Sequence, residues 1–112
     1  MSYSDKFSEL KSQVREVGKA IPDTVKTFNE MQKAAKEKSG LPAREVELVA
    51  LGIAIGERCE PCIMFHVGAL QRAGGTREDL AGICAVAMTM GGGPSLMYAA
   101  KALAIWDELC TG

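Results

Sequence analysis

Apolar residues recur at helical spacing in six successive segments of the chain, and glycine and proline separate these segments. Ser4 is expected to cap the first segment, and Pro22 opens the second, which ends before Gly40. The apolar positions of the two segments are Phe7, Leu10, Val14 and Val17, then Val25, Phe28, Met31, Ala34 and Ala35. Both segments are amphipathic with a lysine-rich outer face, which is typical of solvated surface helices.

The third segment is apolar on nearly every side. Pro42 opens a helix predicted over residues 43–55, and almost no polar residue follows Leu48 within it. A helix that is apolar all round belongs in the interior of a protein. A buried strand over residues 49–55 is the alternative, and the length of the segment favours the helix.

Three further helices follow, separated by glycine-rich breaks. The fourth begins near the cysteines at 59 and 62 and ends at Gly74 and Gly75, and Thr76 then caps the fifth. The run Gly-Gly-Gly-Pro at 91–94 ends the fifth helix, and the last is predicted over residues 95–110. No Gly-Lys-Ser/Thr follows these glycines, so they indicate a turn and not a phosphate loop. The predicted fold is a single all-α domain over residues 1–112, with about six helices.

Composition and charge exclude several classes of function. The 112 residues are 47% apolar and 24% charged, which is typical of a globular protein. Thirteen Lys and Arg side chains against fourteen Asp and Glu give a net charge of −1, without the basic surface that nucleic acids or anionic membranes require. The chain begins without an apolar stretch of signal-peptide type, and no run is long enough to span a bilayer. We therefore expect a cytoplasmic protein.

Candidate chemistry is concentrated in the segment Cys-Glu-Pro-Cys-Ile-Met-Phe-His at residues 59–66. On a helix, Cys59, Cys62 and His66 occupy positions i, i+3 and i+7 and share one face. The reactive form of cysteine is the thiolate, which is favoured at a helix N-terminus, beside an imidazole, or within a Cys-x-x-Cys pair. All three conditions meet here, and Pro61 fits the first turn of the helix, where its missing N–H costs nothing.

Three interpretations of this cluster compete. The first is a redox-active dithiol. The second is a structural zinc site, for which the two cysteines and the histidine need a fourth ligand that only Cys84 or Glu47 could supply. The third is that the cysteines are small buried hydrophobic residues, as Cys84 itself is expected to be. Considered alone, Glu47 is one carboxylate beside an apolar helix, and solvent exposure would be its ordinary state.

The two cysteines of the pair are not equivalent. Cys59 is nearer the helix N-terminus, where the dipole stabilises a charge by about 0.3–1 kcal/mol. Cys62 lies one turn from His66, and an imidazole partner can shift a thiol pKa by several units. The histidine effect is the larger, so Cys62 is predicted to be the attacking thiolate and Cys59 the resolving thiol.

The pattern Cys59-x-x-Cys62-x-x-x-His66, with Glu47 twelve residues before the first cysteine, resembles the AhpD-like alkylhydroperoxidase branch of the carboxymuconolactone decarboxylase family. The resemblance covers about residues 41–103. It implies an all-helical fold that assembles into trimers or hexamers, attack on peroxide by Cys62, resolution by Cys59, and a proton relay through His66 and Glu47. One departure is Pro61, which stands where the best-understood members have a second histidine.

The leading hypothesis is therefore a cysteine-based hydroperoxide reductase, an enzyme that needs no metal or organic cofactor. Its partners would be a hydroperoxide substrate and an external dithiol, thioredoxin-like or lipoyl, as reductant. The alternatives are a non-enzymatic helical assembly module whose cluster binds zinc or only packs, and a lactone decarboxylase, which in this family generally lacks the cysteine pair. A homo-trimer or homo-hexamer is also expected from the small and flexible side chains of the second half, Met88, Met90, Met97, Ala99, Ala100, Ala102 and Ala104.

Overall fold

A computed structural model describes residues 2–110, which form six α-helices and no strand. The helices are α1 (Tyr3–Ala20), α2 (Pro22–Lys38), α3 (Ala43–Gly56), α4 (Glu60–Arg72), α5 (Arg77–Gly91) and α6 (Gly93–Leu109). The predicted all-α fold is confirmed. The alternative of a strand over residues 49–55 is wrong, because this stretch continues α3. Within residues 2–110, no helix combines the length and the hydropathy needed to cross a membrane.

The hydrophobic core is built by α3, α4, α5 and α6, which pack against one another. Its largest fully buried side chains are Leu51, Ile55, Ile63, Val67, Leu70, Leu80 and Ile105. All four helices contribute to this set, α3 and α4 at helical spacing, which explains why the second half of the chain is so apolar. The cysteine motif lies at the turn between α3 and α4, with Cys62 packed against the edge of this core.

Helix α1 crosses the outside of this core and is held at its first turn by α6. The backbone N–H groups of Tyr3 and Ser4 donate to the Glu108 carboxylate at 2.8 and 3.4 Å. A carboxylate at a helix N-terminus satisfies free donors and opposes the positive end of the dipole. The predicted cap was misplaced by two residues, since Ser2 and not Ser4 accepts from the Asp5 N–H, and Ser4 lies within the helix.

The predicted start of α5 is confirmed in detail. The Thr76 hydroxyl accepts from the Asp79 N–H at 3.1 Å, and the Asp79 carboxylate accepts from the Thr76 N–H at 3.0 Å. This reciprocal pair is a capping box, which removes two unsatisfied donors from the first turn.

Helix α2 stands apart from the core. It packs chiefly against α1, and none of its side chains is buried. Apolar residues of the two helices and the cap residue between them lie about half exposed, namely Val14, Val17, Ile21, Phe28 and Met31. The solvated surface predicted for these helices therefore includes an apolar stripe that this chain does not cover.

The small and flexible residues of α5 and α6 divide between two environments. Ala99 and Ala102 are buried within the chain's own core, so they are not available to another subunit. Met90 and Met97 are exposed. Burial of Ala99 and Ala102 removes these two residues from the sequence argument for association, which otherwise stays a prediction.

Candidate active site

The turn between α3 and α4 places the cysteine motif. The Arg58 N–H donates to the Ile55 carbonyl at 3.1 Å, and the Cys59 N–H donates to the Ala54 carbonyl at 3.0 Å. These two bonds, with Arg58 at φ 57°, form the motif that commonly ends an α-helix with a residue in the left-handed region. Glycine is the usual residue there, and arginine is strained by its Cβ. The chain therefore reverses sharply just before the first cysteine.

Cys59 caps the helix that carries the second cysteine. It precedes α4 with an extended backbone, and its Sγ accepts from the Cys62 N–H at 3.2 Å. Cys59 and Cys62 form a disulfide, with their Cα atoms 5.2 Å apart. Both residues are partly exposed. The motif predicted from sequence thus lies at a helix N-terminus, where a thiolate is stabilised after reduction.

His66 lies one turn after Cys62 on α4 and is hydrogen-bonded to Glu47 on α3. The distance from Nδ1 of His66 to Oε1 of Glu47 is 2.7 Å. Glu47 is only 5% exposed, although nothing in the sequence of α3 requires this side chain to face the interior. The solvent-exposed state expected for an isolated carboxylate is therefore wrong, because the histidine of the next helix covers it.

Glu47 remains a carboxylate in spite of its burial. Burial raises the pKa of this group, but the hydrogen bonds and charges of His66 and Lys36 outweigh that effect and leave the pKa below its ordinary value. An ionised carboxylate can only accept hydrogen bonds, so Nδ1 of His66 must carry the proton. The other ring nitrogen, Nε2, is then free to accept a proton.

Lys36 is a member of the site that sequence reasoning missed. Its Nζ lies 3.1 Å from Oε2 of Glu47, so the two carboxylate oxygens have one partner each. In the sequence it is one of four lysines on the solvated helix α2, and nothing in its spacing distinguishes it from the others. Only the position of α2 beside α3 shows the pairing.

Glu60, a second carboxylate near the cysteines, is paired with two lysines. Glu60 is the first residue of α4, and its carboxylate would raise the pKa of a neighbouring thiol by repulsion. Lys6 of α1 lies 3.4 Å from one carboxylate oxygen, and Lys101 of α6 lies 3.6 Å from the other. The two ammonium groups therefore offset the charge of the Glu60 carboxylate at the N-terminus of α4.

The remaining cysteines lie outside this cluster. Cys84 is buried, as the sequence predicts, and burial raises the pKa of its thiol. Cys110 follows α6 as its C-cap and is partly buried, and burial raises the pKa of its thiol too, against the opposing charge of Arg72. Within residues 2–110, no group of three or more Cys, His, Asp or Glu side chains is placed to hold a metal ion. Cys84 is thus not brought to the other cysteines as a fourth zinc ligand.

The fold and the site together define a class: a small all-helical protein with a vicinal cysteine pair at a helix N-terminus and a histidine–carboxylate pair beside it. Comparison with known families agrees. The model of the carboxymuconolactone decarboxylase family matches residues 22–104. The chain belongs to this family.

Similar proteins support the assignment over nearly the whole chain. A crystal structure of an apo carboxymuconolactone decarboxylase family protein from Legionella pneumophila is 36% identical and has a TM-score of 0.88, covering 96% of this chain and 99% of that one. An uncharacterised protein of Cupriavidus necator is 39% identical over 104 residues, 93% of this chain and 92% of its own length. An uncharacterised protein from the cox locus of Paracoccus denitrificans is 31% identical over 104 residues, with 93% and 91% covered.

Proposed function

We propose that this protein is a cysteine-based hydroperoxide reductase of the AhpD-like kind, an enzyme that cycles Cys59 and Cys62 between dithiol and disulfide. The observation that carries the proposal is the disulfide itself, formed at a helix N-terminus one turn before a histidine whose Nδ1 is held by a buried carboxylate. Membership of a family that includes both decarboxylases and alkylhydroperoxidases supports an enzymatic role.

The cycle begins with the reduced pair. Nε2 of His66 takes the Cys62 proton, and the thiolate attacks the terminal oxygen of the hydroperoxide, ROOH. The O–O bond breaks, the sulfur is oxidised to a sulfenic acid, and the leaving alkoxide takes a proton and departs as the alcohol, ROH. The imidazolium formed in the first step supplies that proton and returns to the neutral ring.

The second half of the cycle closes the disulfide. The Cys59 thiol attacks the sulfenic sulfur of Cys62, the S–O bond breaks, and water leaves. The Cα atoms of the two cysteines are 5.2 Å apart in the disulfide that this step forms. An external dithiol, thioredoxin-like or lipoyl, then reduces the disulfide through a mixed-disulfide intermediate and becomes oxidised itself.

The proposal is tested by treating the reduced protein with one equivalent of a hydroperoxide and measuring its intact mass. We expect a loss of about 2 Da, mapped by peptide analysis to Cys59 and Cys62. Unchanged mass in the presence of peroxide, with both thiols free, would show that peroxide is not the oxidant. Bound zinc in stoichiometric amount, with thiols that do not react, would favour the assembly module instead.

The division of labour is tested with two serine variants. Cys62→Ser should consume no peroxide, whereas Cys59→Ser should consume one equivalent per subunit and retain a sulfenic acid that dimedone traps. Cys84→Ser is the matched control, because its thiol is buried and outside the site. Dimedone labelling of Cys59 in the Cys62→Ser protein, with none in the Cys59→Ser protein, would reverse the assignment.

We also propose that the working form is a homo-trimer or homo-hexamer. One support is an exposed apolar face on α3 and α5 that includes Val49, Ile53, Val86 and Met90. These side chains are 52–86% exposed and line one continuous groove, an unfavourable arrangement for a monomer in water. The uncovered apolar stripe of α1 and α2 is a second such surface.

A further inference from the structure

Lys36 connects an outlying helix to the candidate site. It lies in the last turn of α2, which packs chiefly on α1 and buries none of its own side chains. Its ammonium group nevertheless reaches Glu47, whose side chain is only 6% exposed. Helix α2 therefore has an ion pair with Glu47, the buried carboxylate that is hydrogen-bonded to His66.

The turn after α2 holds Lys36 in this position. The Ser39 hydroxyl donates to the Lys36 carbonyl at 3.1 Å and accepts from the Leu41 N–H at 3.2 Å. Gly40 has φ +76°, in the region that glycine adopts without strain, and this reverses the chain toward α3. The backbone of Lys36 is thus tied to the turn that leads into α3, and from this position its ammonium group reaches Glu47.

We propose that Lys36 is a positioning residue of the active site, which keeps Glu47 ionised so that the carboxylate continues to hold Nδ1–H of His66 and leaves Nε2 as the base for Cys62. This inference rests on one part of the proposed function, that Cys59 and Cys62 act as a reactive dithiol. It gives α2, which lies outside the cysteine motif, a role in the site.

Within residues 2–110, no second cation replaces Lys36 beside Glu47. The charged or titratable groups of this part of the chain that face the carboxylate are His66 from α4 and Lys36 from α2. Arg44, nearly one turn earlier on α3, pairs instead with Glu45 and Asp79. Without Lys36, one oxygen of a buried carboxylate loses its partner, and the pKa of Glu47 rises because burial is then opposed by His66 without the ammonium group. A protonated Glu47 can itself donate to Nδ1, which would favour the opposite tautomer of the ring.

An ordinary surface ion pair would not have these consequences. Lys33 provides the comparison, because it lies on the same helix and pairs with Glu37 at 4.0 Å, with both side chains well exposed. Such pairs contribute little because water screens them. The Lys36 side chain is itself 46% exposed, but its partner is not, and the effect arises at the buried end of the pair.

The experiment measures alkylation of the reduced protein by iodoacetamide between pH 5 and pH 8.5, followed by intact mass. Lys36→Met should move the acid limb of the rate profile to higher pH by about one unit, which lowers the rate there about tenfold. Lys33→Met and Lys36→Arg should both follow the parent protein, the second because arginine retains the charge. Circular dichroism of each variant verifies that the helices are intact.

Two results would overturn the proposal. One is a Lys36→Met profile that coincides with that of Lys33→Met, and the other is a Lys36→Arg profile displaced as far as that of Lys36→Met. Because alkylation requires no peroxide, a protein that fails to reduce hydroperoxides still reports whether Lys36 acts on the dithiol. The failure of one proposal is therefore distinguishable from the failure of the other.

Discussion

Replacing Glu47 by glutamine removes one negative charge from the site and changes little else. Glutamine has nearly the same shape, and its amide oxygen can still accept from Nδ1 of His66, now 2.7 Å from the carboxylate. The amide can also rotate and offer its NH₂ group to the ring, which then adopts the other tautomer. The variant therefore retains the histidine but no longer fixes which nitrogen is the base.

The size of the effect follows from the contact that is weakened. A hydrogen bond to a charged group contributes about 1.5–3 kcal/mol, and each 1.36 kcal/mol at the transition state is about tenfold in rate. We therefore expect Glu47→Gln to slow the oxidation of the dithiol by roughly 10- to 150-fold. Removing the base itself, with His66→Gln, should cost about 10²–10⁴-fold, the usual contribution of general acid–base catalysis.

The assay follows the reduced protein during exposure to excess hydroperoxide, with samples quenched by iodoacetamide and weighed by mass spectrometry. Glu45→Gln is the matched control, because this glutamate lies on the same helix and contacts Arg44 at 3.9 Å on the exposed side. If Glu47→Gln oxidises within about threefold of the Glu45→Gln rate, the carboxylate has no part in the chemistry and the reasoning fails.

Three further outcomes are expected. Arg58→Gly should raise the free energy of unfolding by about 0.5–1 kcal/mol in urea titrations, because glycine adopts φ 57° without strain. A decrease would show that the backbone at Arg58 is not strained. Because the folded pKa of Glu47 is lowered from 4.5, its contribution to stability is complete above that value and is lost as the pH falls through the folded pKa. Urea titrations at pH 6 and pH 4 should therefore show a smaller loss of stability for Glu47→Gln than for the parent protein; equal losses would mean that this carboxylate is not the group responsible. Light scattering should give three or six times the 11.9 kDa of one chain, and Ile53→Glu, a charge on the exposed apolar face, should lower it; a parent protein that scatters as a monomer at micromolar concentration would contradict this.

The sequence was a good guide to the helices because their signals are local. Pro22, Thr76 and the glycine pair at 74–75 mark helix ends by their own backbone preferences, and the structure begins or ends helices at or beside each of them. The cap of α1 was misplaced because Ser2 and Ser4 are both acceptable N-cap residues. The choice between them depends on Glu108, which comes from the other end of the chain and receives the first N–H groups of the helix.

The residues of the candidate site also differ in whether their positions depend on local sequence or on contacts between helices. Cys59, Cys62 and His66 lie within eight residues of one another, so helical spacing alone places them on one face. Glu47 comes from a different helix, and only the family resemblance indicated its pairing with His66. Lys36 had neither kind of signal, because its role depends on how α2 lies against α3, and no periodicity within α2 encodes that contact.

The burial of Cys84 has a consequence for what happens when the protein unfolds. In the folded chain its Sγ faces the Ala99 carbonyl at 4.0 Å, and the side chain is buried away from solvent and outside the Cys59–Cys62 site. An unfolded chain has four accessible sulfurs, which can pair in three complete connectivities. When the oxidised protein is heated until it unfolds, the thiols of Cys84 and Cys110 can therefore exchange with the Cys59–Cys62 disulfide. After cooling, part of the chain then carries non-native disulfides. Native packing is therefore what keeps the Cys84 thiol from exchanging with the Cys59–Cys62 disulfide.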